Sequence, residues 1–520
     1  MPLLDVHLLA RLTVEFRLSM RRLLQDLCEE LQDNYAVLSS RLGLPIGWFE
    51  LLNRSLTGEA YSNWKGVGWI ETLNELVYFL DILHQWEREP HRRVFIGQLF
   101  AECREKFFEH GYSNELFPSG RPSVPGFEKR LAHFCERLTR EVIQEALFLD
   151  PALAVRWHRQ SRWLRWEVPG TLKADFERAQ LAGAVSIGSA VEWVKAPQDV
   201  RHALKRVGGH ATFLIETDQI IVKIGRDTVP LWTCRKQGTW RWKVHKETVA
   251  LETARGLVTV GPTLVYGKDR EPRTVVRTKP KQVERIARSC RTIQACWPDG
   301  HAILALLTSR IVPLKAKGVV SFSYRHRPGL SFINCFDRDD LDLIDDLIHE
   351  NSHHHLNLLL RKYVMYHGDH NQQIFYSPWR RGLRPLRGIL HATFTFTMGA
   401  MLFEKLSTWA SGRGGAVRWK HAGFSRGDLL RAKFRCLEEV ESVRYSLQDL
   451  HYADCHLGWL TASGCRLVSE LKDAIDQVER KADRFRPDVL RSKFGLDLRR
   501  HMAKLKKARM IYGPMRLAEV

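Results

Sequence analysis

The sequence predicts an α+β protein that is mainly α, and three patterns along its 520 residues support this class. Over roughly the first 115 residues, apolar side chains recur at three- and four-residue steps, which is the spacing of amphipathic helices. Short alternating and β-branched runs between about 203 and 278 predict an antiparallel β portion. A segment from 337 to about 364 opens with several aspartates and continues with Leu and Ile at helical spacing. It predicts a long helix, because acidic residues favour a helix N-terminus.

These patterns divide the chain into five regions. They are a helical N-terminal region (1–117), a helical or connecting region (127–202), a β-rich region (203–278), a central region (279–410) and a helical C-terminal region (424–520). Three prolines and two glycines make 117–126 the clearest linker.

Several elements are specific enough to be predicted individually. Ser425 and Asp428 have the spacing of a capping box and predict the start of a C-terminal helix. The other predicted elements are a hairpin over 212–224, helices over 281–295 and 301–309, a hairpin over 319–335 and a helix over about 127–148.

The charge balance favours an acidic partner. The chain has 80 Lys and Arg against 59 Asp and Glu, a formal net charge of +21. Two stretches, 156–166 and 240–246, interleave Trp with Arg, Lys and His, as in proteins that stack bases and bind phosphates. The alternative, which the alternation of Trp240, Trp242 and Val244 favours, is an amphipathic strand with its tryptophans inward. A basic nucleic-acid-binding protein is therefore one hypothesis, but nucleic acid is not the partner we expect.

Membrane insertion and a disulfide framework are not expected. The longest uncharged run of interest, 388–403, contains one His and several Thr and is too short to span a bilayer. The ten cysteines are scattered without C-x-x-C spacing, which is typical of reduced thiols in a cytoplasmic protein. No signal peptide is evident at the N-terminus.

The chemically informative segment is LIHENSHHHL, which contains an HExxH motif within the predicted long helix. His349 and His353 lie four residues apart and project from one face, so both imidazoles can bind one metal ion. Glu350 between them can contact a metal-bound water. The adjacent His354 and His355 point elsewhere, and we expect them either to contact the metal-binding residues from behind or to lie at the surface.

An HExxH helix first suggests a zinc peptidase in which Glu350 is the general base. That reading needs a third ligand, and the Gly and His of the metzincin pattern are absent after His353. The downstream residues able to complete the site are His367, Asp369, His370, His391 and Glu404. Of these, His391 is favoured because it lies in the uncharged run 388–403, where a buried histidine facing a two-histidine helix suits a ligand.

A second segment, YSPWRRGLRPLRGILHAT, follows the HExxH helix. Together the two segments resemble the HExxH-containing peptide-modification proteins, which are iron- and 2-oxoglutarate-dependent peptide β-hydroxylases. Their pattern runs from L-x-H-E-x-x-H to Y-A-P-W-R-x-x-x-R-P-L-x-G-x-L-[HQ]-G. The resemblance covers about 280–410, roughly a quarter of the chain, and departs from the pattern at Ser377, Gly382-Leu383 and Ala392.

The resemblance implies a set of roles. Fe(II) would be bound by His349, His353 and His391, and 2-oxoglutarate would chelate it through its 1-carboxylate and keto oxygen. Arg384 and Arg380 are the first choices for the distal carboxylate, because a guanidinium pairs bidentately with a carboxylate; alternatively, both anchor the Pro378-Trp379 turn. Tyr376 is the remaining residue assigned to the cosubstrate, and Glu350 is either a ligand or a group that orients water or an imidazole.

The function implied is hydroxylation, with O2, of the β-carbon of a residue in a peptide, as in tailoring of a ribosomally made precursor. The N-terminal regions would recognise that peptide, and the basic surplus suits an acidic leader. The first alternative is the zinc metallopeptidase, with Zn(II) on the same helix. The second is the nucleic-acid-binding protein, which leaves the HExxH cluster unexplained.

Overall fold

A computed structural model describes residues 3–56, 58–106, 113–120, 122–149, 279–314, 317–368 and 371–513, together with strands between 166 and 275. The chain divides into two compact units. One comprises 17–249 and 260–278, and the other comprises 1–16, 250–259 and 279–520. The fold is α+β and mainly α, as predicted.

The described residues before 150 are largely helical, which confirms the prediction for this region. The helices are α1 (Val6–Asp33), α2 (Ala36–Arg41), α3 (Ile46–Ser55), α4 (Trp64–Arg88), α5 (Ile96–Lys106), α6 (Ser113–Leu116) and α7 (Val124–Leu149). The linker is shorter than predicted because α7 already begins at Val124. Pro125 fits there, since the N–H groups of a first helical turn have no intrahelical partner.

Aromatic rings pack α4, α5 and α7 together. Phe117 is fully buried, and its ring centroid lies 5.4 Å from that of Phe79, 5.3 Å from that of Phe100 and 5.7 Å from that of Phe127. Edge and stacked ring contacts of this kind add to the stabilisation from burial. The first residue of the predicted linker is therefore a core residue.

Strands follow α7, both where the sequence predicted them and where it did not. They are β1 (Trp166–Val168), β2 (Gly183–Ile187), β3 (Ala190–Val194), β4 (Ala211–Ile215), β5 (Gln219–Ile224), β6 (Asp227–Cys234), β7 (Trp240–Trp242), β8 (Val249–Thr253), β9 (Gly256–Val260), β10 (Leu264–Tyr266) and β11 (Pro272–Val275). The predicted hairpin of β4 and β5 is confirmed, with Thr212 opposite Lys223. The first three strands lie in the region predicted to be helical or connecting, so that prediction is wrong there.

The two Trp-containing stretches are only partly described. Trp240 and Trp242 lie on β7, at the edge of the sheet ordered β1-β4-β5-β6-β7, and Val244 lies outside the described residues. Most of 156–166 also lies outside them, with only Trp166 placed, on β1.

The second unit contains the predicted HExxH helix. Its helices are α8 (Pro280–Cys296), α9 (Pro298–Leu307), α10 (Asp340–Lys362), α11 (Leu386–Ser411), α12 (Gly415–His421), α13 (Arg426–Cys455), α14 (Ala462–Ala482), α15 (Arg486–Leu490) and α16 (Phe494–Tyr512). Its remaining strands are β12 (Arg310–Leu314), β13 (Phe322–Ser323), β14 (Leu330–Asn334), β15 (Phe375–Ser377) and β16 (Gly382–Arg384). The helices predicted over 281–295 and 301–309 correspond to α8 and α9.

The HExxH helix α10 lies between a sheet and the helices α8, α9 and α11. Asp339 caps its N-terminus by accepting hydrogen bonds from the backbone N–H groups of Leu341 and Asp342. One side of α10 contacts β13 and β14, which pair antiparallel as predicted and belong to the sheet ordered β13-β14-β12-β9-β8. Another side packs against α11, which in turn packs along α13.

The C-terminal helices begin where the sequence predicted. The Ser425 side chain accepts the backbone N–H of Asp428, and the Asp428 carboxylate accepts the N–H of Ser425, so the capping box of α13 is confirmed. In the part of the chain that the structure describes, no helix is both long and apolar enough to cross a membrane.

Candidate metal centre

Three histidines meet where α10 and α11 pack together. His349 and His353 lie one turn apart on α10, and His391 lies in the second turn of α11. All three side chains are partly exposed, whereas most of the surrounding helix faces are buried. The favoured third residue of the sequence analysis is thus brought to the HExxH pair.

The distance between the rings of His349 and His353 fits a shared metal ion, whereas the distance between those of His353 and His391 is larger. Two imidazoles that bind one ion at about 2.1 Å have ring centroids about 5 Å apart. The centroids of His349 and His353 are 5.0 Å apart, and those of His353 and His391 are 6.2 Å apart. Among the described residues, no three His, Cys, Asp or Glu side chains are already arranged around one point as metal ligands. The His353 and His391 rings would therefore have to approach each other to complete a three-histidine site.

The protonation state of these histidines suits a metal. Burial, followed by the charges of Arg435 and Arg380, lowers the pKa of His349 to about 4. Burial also lowers the pKa values of His353 and His391 to about 3 each, followed by the charges of neighbouring histidines and arginines. All three imidazoles are neutral at pH 7, which is the form that binds a metal ion.

Glu350 points to the sheet side of α10. Its side chain is 4% exposed, and its Oε2 accepts a hydrogen bond of 2.7 Å from the Ser323 hydroxyl of β13. Burial raises the pKa of Glu350 to about 8, and the charge of Asp346 also raises it. The carboxyl group is therefore largely protonated at neutral pH.

His354 and His355 are both buried, so a surface position for them is wrong. The Nδ1 atom of His354 accepts the backbone N–H of Gly329 at 3.4 Å, and its Nε2 lies 3.1 Å from the Ser331 hydroxyl. Both ring nitrogens of His354 are thus occupied by β14 and the turn before it. The His355 ring stands edge-on to Phe394 of α11 at a centroid distance of 5.0 Å.

A layered contact supports His349 from the side of α11. The Phe396 ring lies 5.1 Å from the His349 ring and stacks on Trp379, with 4.2 Å between centroids and 6° between planes. The Trp379 indole N–H donates to the Glu439 carboxylate of α13 at 2.8 Å, and Arg435 pairs with the same carboxylate at 2.9 Å. The sequence did not predict that Phe396, Glu439 and Arg435 belong to this site. The only signal was Trp379, because an enclosed indole N–H needs a hydrogen-bond acceptor.

The segment between α10 and α11 forms the hairpin of β15 and β16, with Arg380 at its tip. Arg380 is exposed, and its charge contributes to lowering the pKa values of both His349 and His353. Arg380 has no ion-pair partner among the described residues. Arg384 is also exposed, at the end of β16.

Tyr376 contacts two tyrosines of the C-terminal helices. Its ring stacks on Tyr512 of α16 at 5.3 Å and meets Tyr445 of α13 at 5.9 Å. These ring contacts fix the hairpin on the C-terminal helices.

Two other predicted third ligands lie away from the histidines. Glu404 is buried three to four turns further along α11 from His391 and accepts the Thr408 hydroxyl at 2.8 Å. His367 is exposed in a loop whose backbone N–H donates to the carbonyl of Trp459 at 2.8 Å. Asp369 and His370 lie outside the described residues.

Comparison with known proteins adds no family or relative. No protein-family model matches the chain, and no curated protein matches it.

Proposed function

We propose that this protein is an Fe(II)- and 2-oxoglutarate-dependent oxygenase that hydroxylates the β-carbon of a residue in a peptide. The observation that carries the proposal is the meeting of three neutral, partly exposed imidazoles, His349, His353 and His391, at the junction of α10 and α11. These residues would hold the metal. When bound, Fe(II) and 2-oxoglutarate supply the oxidation of an unactivated C–H bond by O2.

The arginine beside the histidines supports a dicarboxylate cosubstrate. Arg380 is exposed, has no carboxylate partner among the described residues, and acts electrostatically on two of the three rings. A guanidinium in that state binds an incoming carboxylate without first losing an existing ion pair. Arg384 is the second choice, because no comparable effect on the histidines is seen for it.

The surroundings of Glu350 favour the oxygenase over the zinc peptidase. A general base must be ionised and face the water that it deprotonates. Glu350 instead accepts a hydrogen bond from the Ser323 hydroxyl of β13, and burial raises its pKa to about 8. We assign it a structural role that locks α10 onto the sheet and so orients the neighbouring His349.

The same proposal includes a peptide partner with an acidic leader and a cytoplasmic enzyme. The net charge of +21 supports an acidic partner. Reduced thiols and Fe(II) both belong in a reducing compartment.

The test is metal-dependent turnover of 2-oxoglutarate. The chain is loaded anaerobically with Fe(II), exposed to air with 2-oxoglutarate, and assayed for succinate by chromatography. We expect succinate from the iron-loaded protein and none above background from His349→Ala. Hydrolysis of a fluorogenic peptide library by the zinc-loaded protein, abolished in Glu350→Gln and without succinate formation, would establish the peptidase instead.

A further inference from the structure

The outward face of α16 carries a row of apolar residues that nothing in the described chain covers. Leu496, Ala503 and Met510 are spaced seven residues apart, so they form one line along the helix. Leu496 is 49% exposed and Met510 is 66% exposed, and Ala503 between them is also exposed. Single exposed apolar residues are ordinary, but here one apolar residue recurs in each heptad along one face, which is one of the two apolar positions of a helix-helix seam.

Basic residues flank this row on both sides. Arg499 and Lys506 lie along one edge, and Arg500 and Lys507 lie along the other, again seven residues apart. All four are exposed. Arg500 has one exposed ion pair, with Asp497 at 3.7 Å, and the other three have no ion-pair partner among the described residues.

The density of positive charge on α16 exceeds that of the chain as a whole. The helix has six Lys and Arg against one Asp in 19 residues, an excess of about one base per four residues. The whole chain, with +21 over 520 residues, averages one excess base per roughly 25 residues. A field of this strength on one helix selects for anionic partners.

The inner face of α16 is anchored, so the helix cannot turn to bury its outer row. Leu498 is fully buried, Arg509 pairs with the buried Asp449 of α13, and His501 lies 2.9 Å from the Ser442 hydroxyl. At its C-terminal end, Tyr512 stacks on Tyr376 of the β15–β16 hairpin. A partner lying along α16 would therefore lead towards the hairpin that carries Arg380.

We propose that the outer face of α16 is the docking site for an acidic amphipathic helix in the peptide partner, an inference that rests on the peptide substrate proposed above. Leu or Ile side chains of such a helix would pack on the Leu496–Ala503–Met510 row, and its Glu or Asp side chains would pair with the flanking bases. A second copy of α16 is disfavoured, because its bases would face the same bases. A nucleic acid would use the charges but not the apolar row.

The test is binding of a labelled model peptide by fluorescence anisotropy, using the full-length, metal-free protein. The probe is a peptide about three heptads long with Leu at the a and d positions and Glu at e and g. A peptide of the same composition in scrambled order and a single-stranded DNA of equal charge are the comparison ligands. Vesicles containing anionic lipid are tested by co-sedimentation.

Two double variants separate the contributions of charge and of the apolar row. We expect Arg500→Glu with Lys507→Glu, and separately Leu496→Gln with Met510→Gln, each to weaken binding of the heptad peptide at least tenfold. Arg480→Glu with Lys481→Glu on α14 is the charge-matched control, because both residues are exposed, and we expect less than a twofold effect. Circular dichroism melting verifies that each variant is folded.

Several outcomes would overturn the proposal. They are no binding of the heptad peptide, equal binding of the scrambled peptide, equal or tighter binding of DNA or vesicles, and no effect of Leu496→Gln with Met510→Gln. Since the binding measurement uses neither metal nor 2-oxoglutarate, its failure is distinguishable from a failure of the oxygenase assay.

Discussion

Two phenylalanines on α11 allow the metal centre to be separated from the core of the protein. Phe394 and Phe396 lie two residues apart, and each presents its ring to a histidine of α10. Phe396 meets His349 at 5.1 Å, and Phe394 meets His355 at 5.0 Å. Only His349 belongs to the proposed metal site, so the Phe→Leu variants at these two positions form a matched pair.

The structure predicts that Phe394→Leu costs more stability and that Phe396→Leu costs more metal affinity. Phe394 is fully buried, so Phe394→Leu loses packing and one ring contact, which is about 1–3 kcal/mol in the free energy of unfolding. Phe396 is only partly buried, so Phe396→Leu costs less stability, about 1 kcal/mol, mainly from its lost stacking on Trp379. Loss of a residue that orients a ligand typically weakens metal binding by about 10–100-fold, and we expect this for Phe396→Leu alone.

The assay combines anaerobic calorimetric titration with Co(II), as a stable substitute for Fe(II), and urea unfolding of the metal-free chain. We expect the dissociation constant to rise at least tenfold in Phe396→Leu and less than threefold in Phe394→Leu. Equal changes in metal affinity for the two variants, or a larger change for Phe394→Leu, would refute the reasoning that Phe396 holds His349 in place.

Three further predictions follow from the described contacts. Arg380→Ala should raise the concentration of 2-oxoglutarate needed for half-maximal succinate formation at least tenfold, and Arg384→Ala should raise it less. A larger effect of Arg384→Ala would indicate that Arg384 on β16 binds the distal carboxylate instead. Burial raises the pKa of Glu350 from 4.5 to about 8, so between these pH values the folded state binds a proton that the unfolded state has lost. The stabilisation from this proton is complete below about pH 4.5, and it is lost progressively as the pH rises through 8. In urea unfolding of the metal-free protein, the unfolding free energy of the wild type should therefore fall relative to that of Glu350→Gln by up to about 1.4 kcal/mol for each unit that the pH rises. A difference between the two proteins that does not change with pH would contradict a buried, protonated Glu350. Gly464→Ala should lower the unfolding free energy by about 1–3 kcal/mol, because the new Cβ would overlap a backbone carbonyl oxygen. Gly399→Ala should be neutral or stabilising, because a Cβ there would make only ordinary contacts. Similar melting temperatures for the two variants would contradict this prediction.

Local patterns predicted most of the elements that build the site. The aspartates before Leu341 and the Leu and Ile spacing predicted α10 to within two residues at its C-terminal end, because capping and amphipathic periodicity are local properties. The capping box of Ser425 and Asp428 predicted the start of α13 for the same reason. The favoured third histidine, His391, was also brought beside His353, as the uncharged sequence around it suggested.

Contacts between distant segments were beyond the reach of the sequence. Glu439 lies 60 residues after Trp379, and nothing in the local pattern of α13 identifies it as the acceptor of that indole N–H. The burial of His354 depended on a sheet forming on that side of α10, and polar residues do not reveal by themselves which face a sheet will cover. The side chain of Tyr376 could have pointed to either face of its short strand. Its contact with Tyr512 depends on where the last helix packs, which the local sequence does not show.

The central claim is that His349, His353 and His391 together bind iron with 2-oxoglutarate. It is tested most directly by anaerobic addition of Fe(II) and 2-oxoglutarate to the wild type, to His391→Ala and to His367→Ala, the last being an exposed histidine outside the site. A weak visible charge-transfer band near ~500 nm is typical of 2-oxoglutarate chelated to iron at an open histidine site. We predict this band in the wild type and in His367→Ala, and its loss in His391→Ala. A band that persists in His391→Ala, or a wild type without any band that binds one zinc ion tightly, would contradict the account.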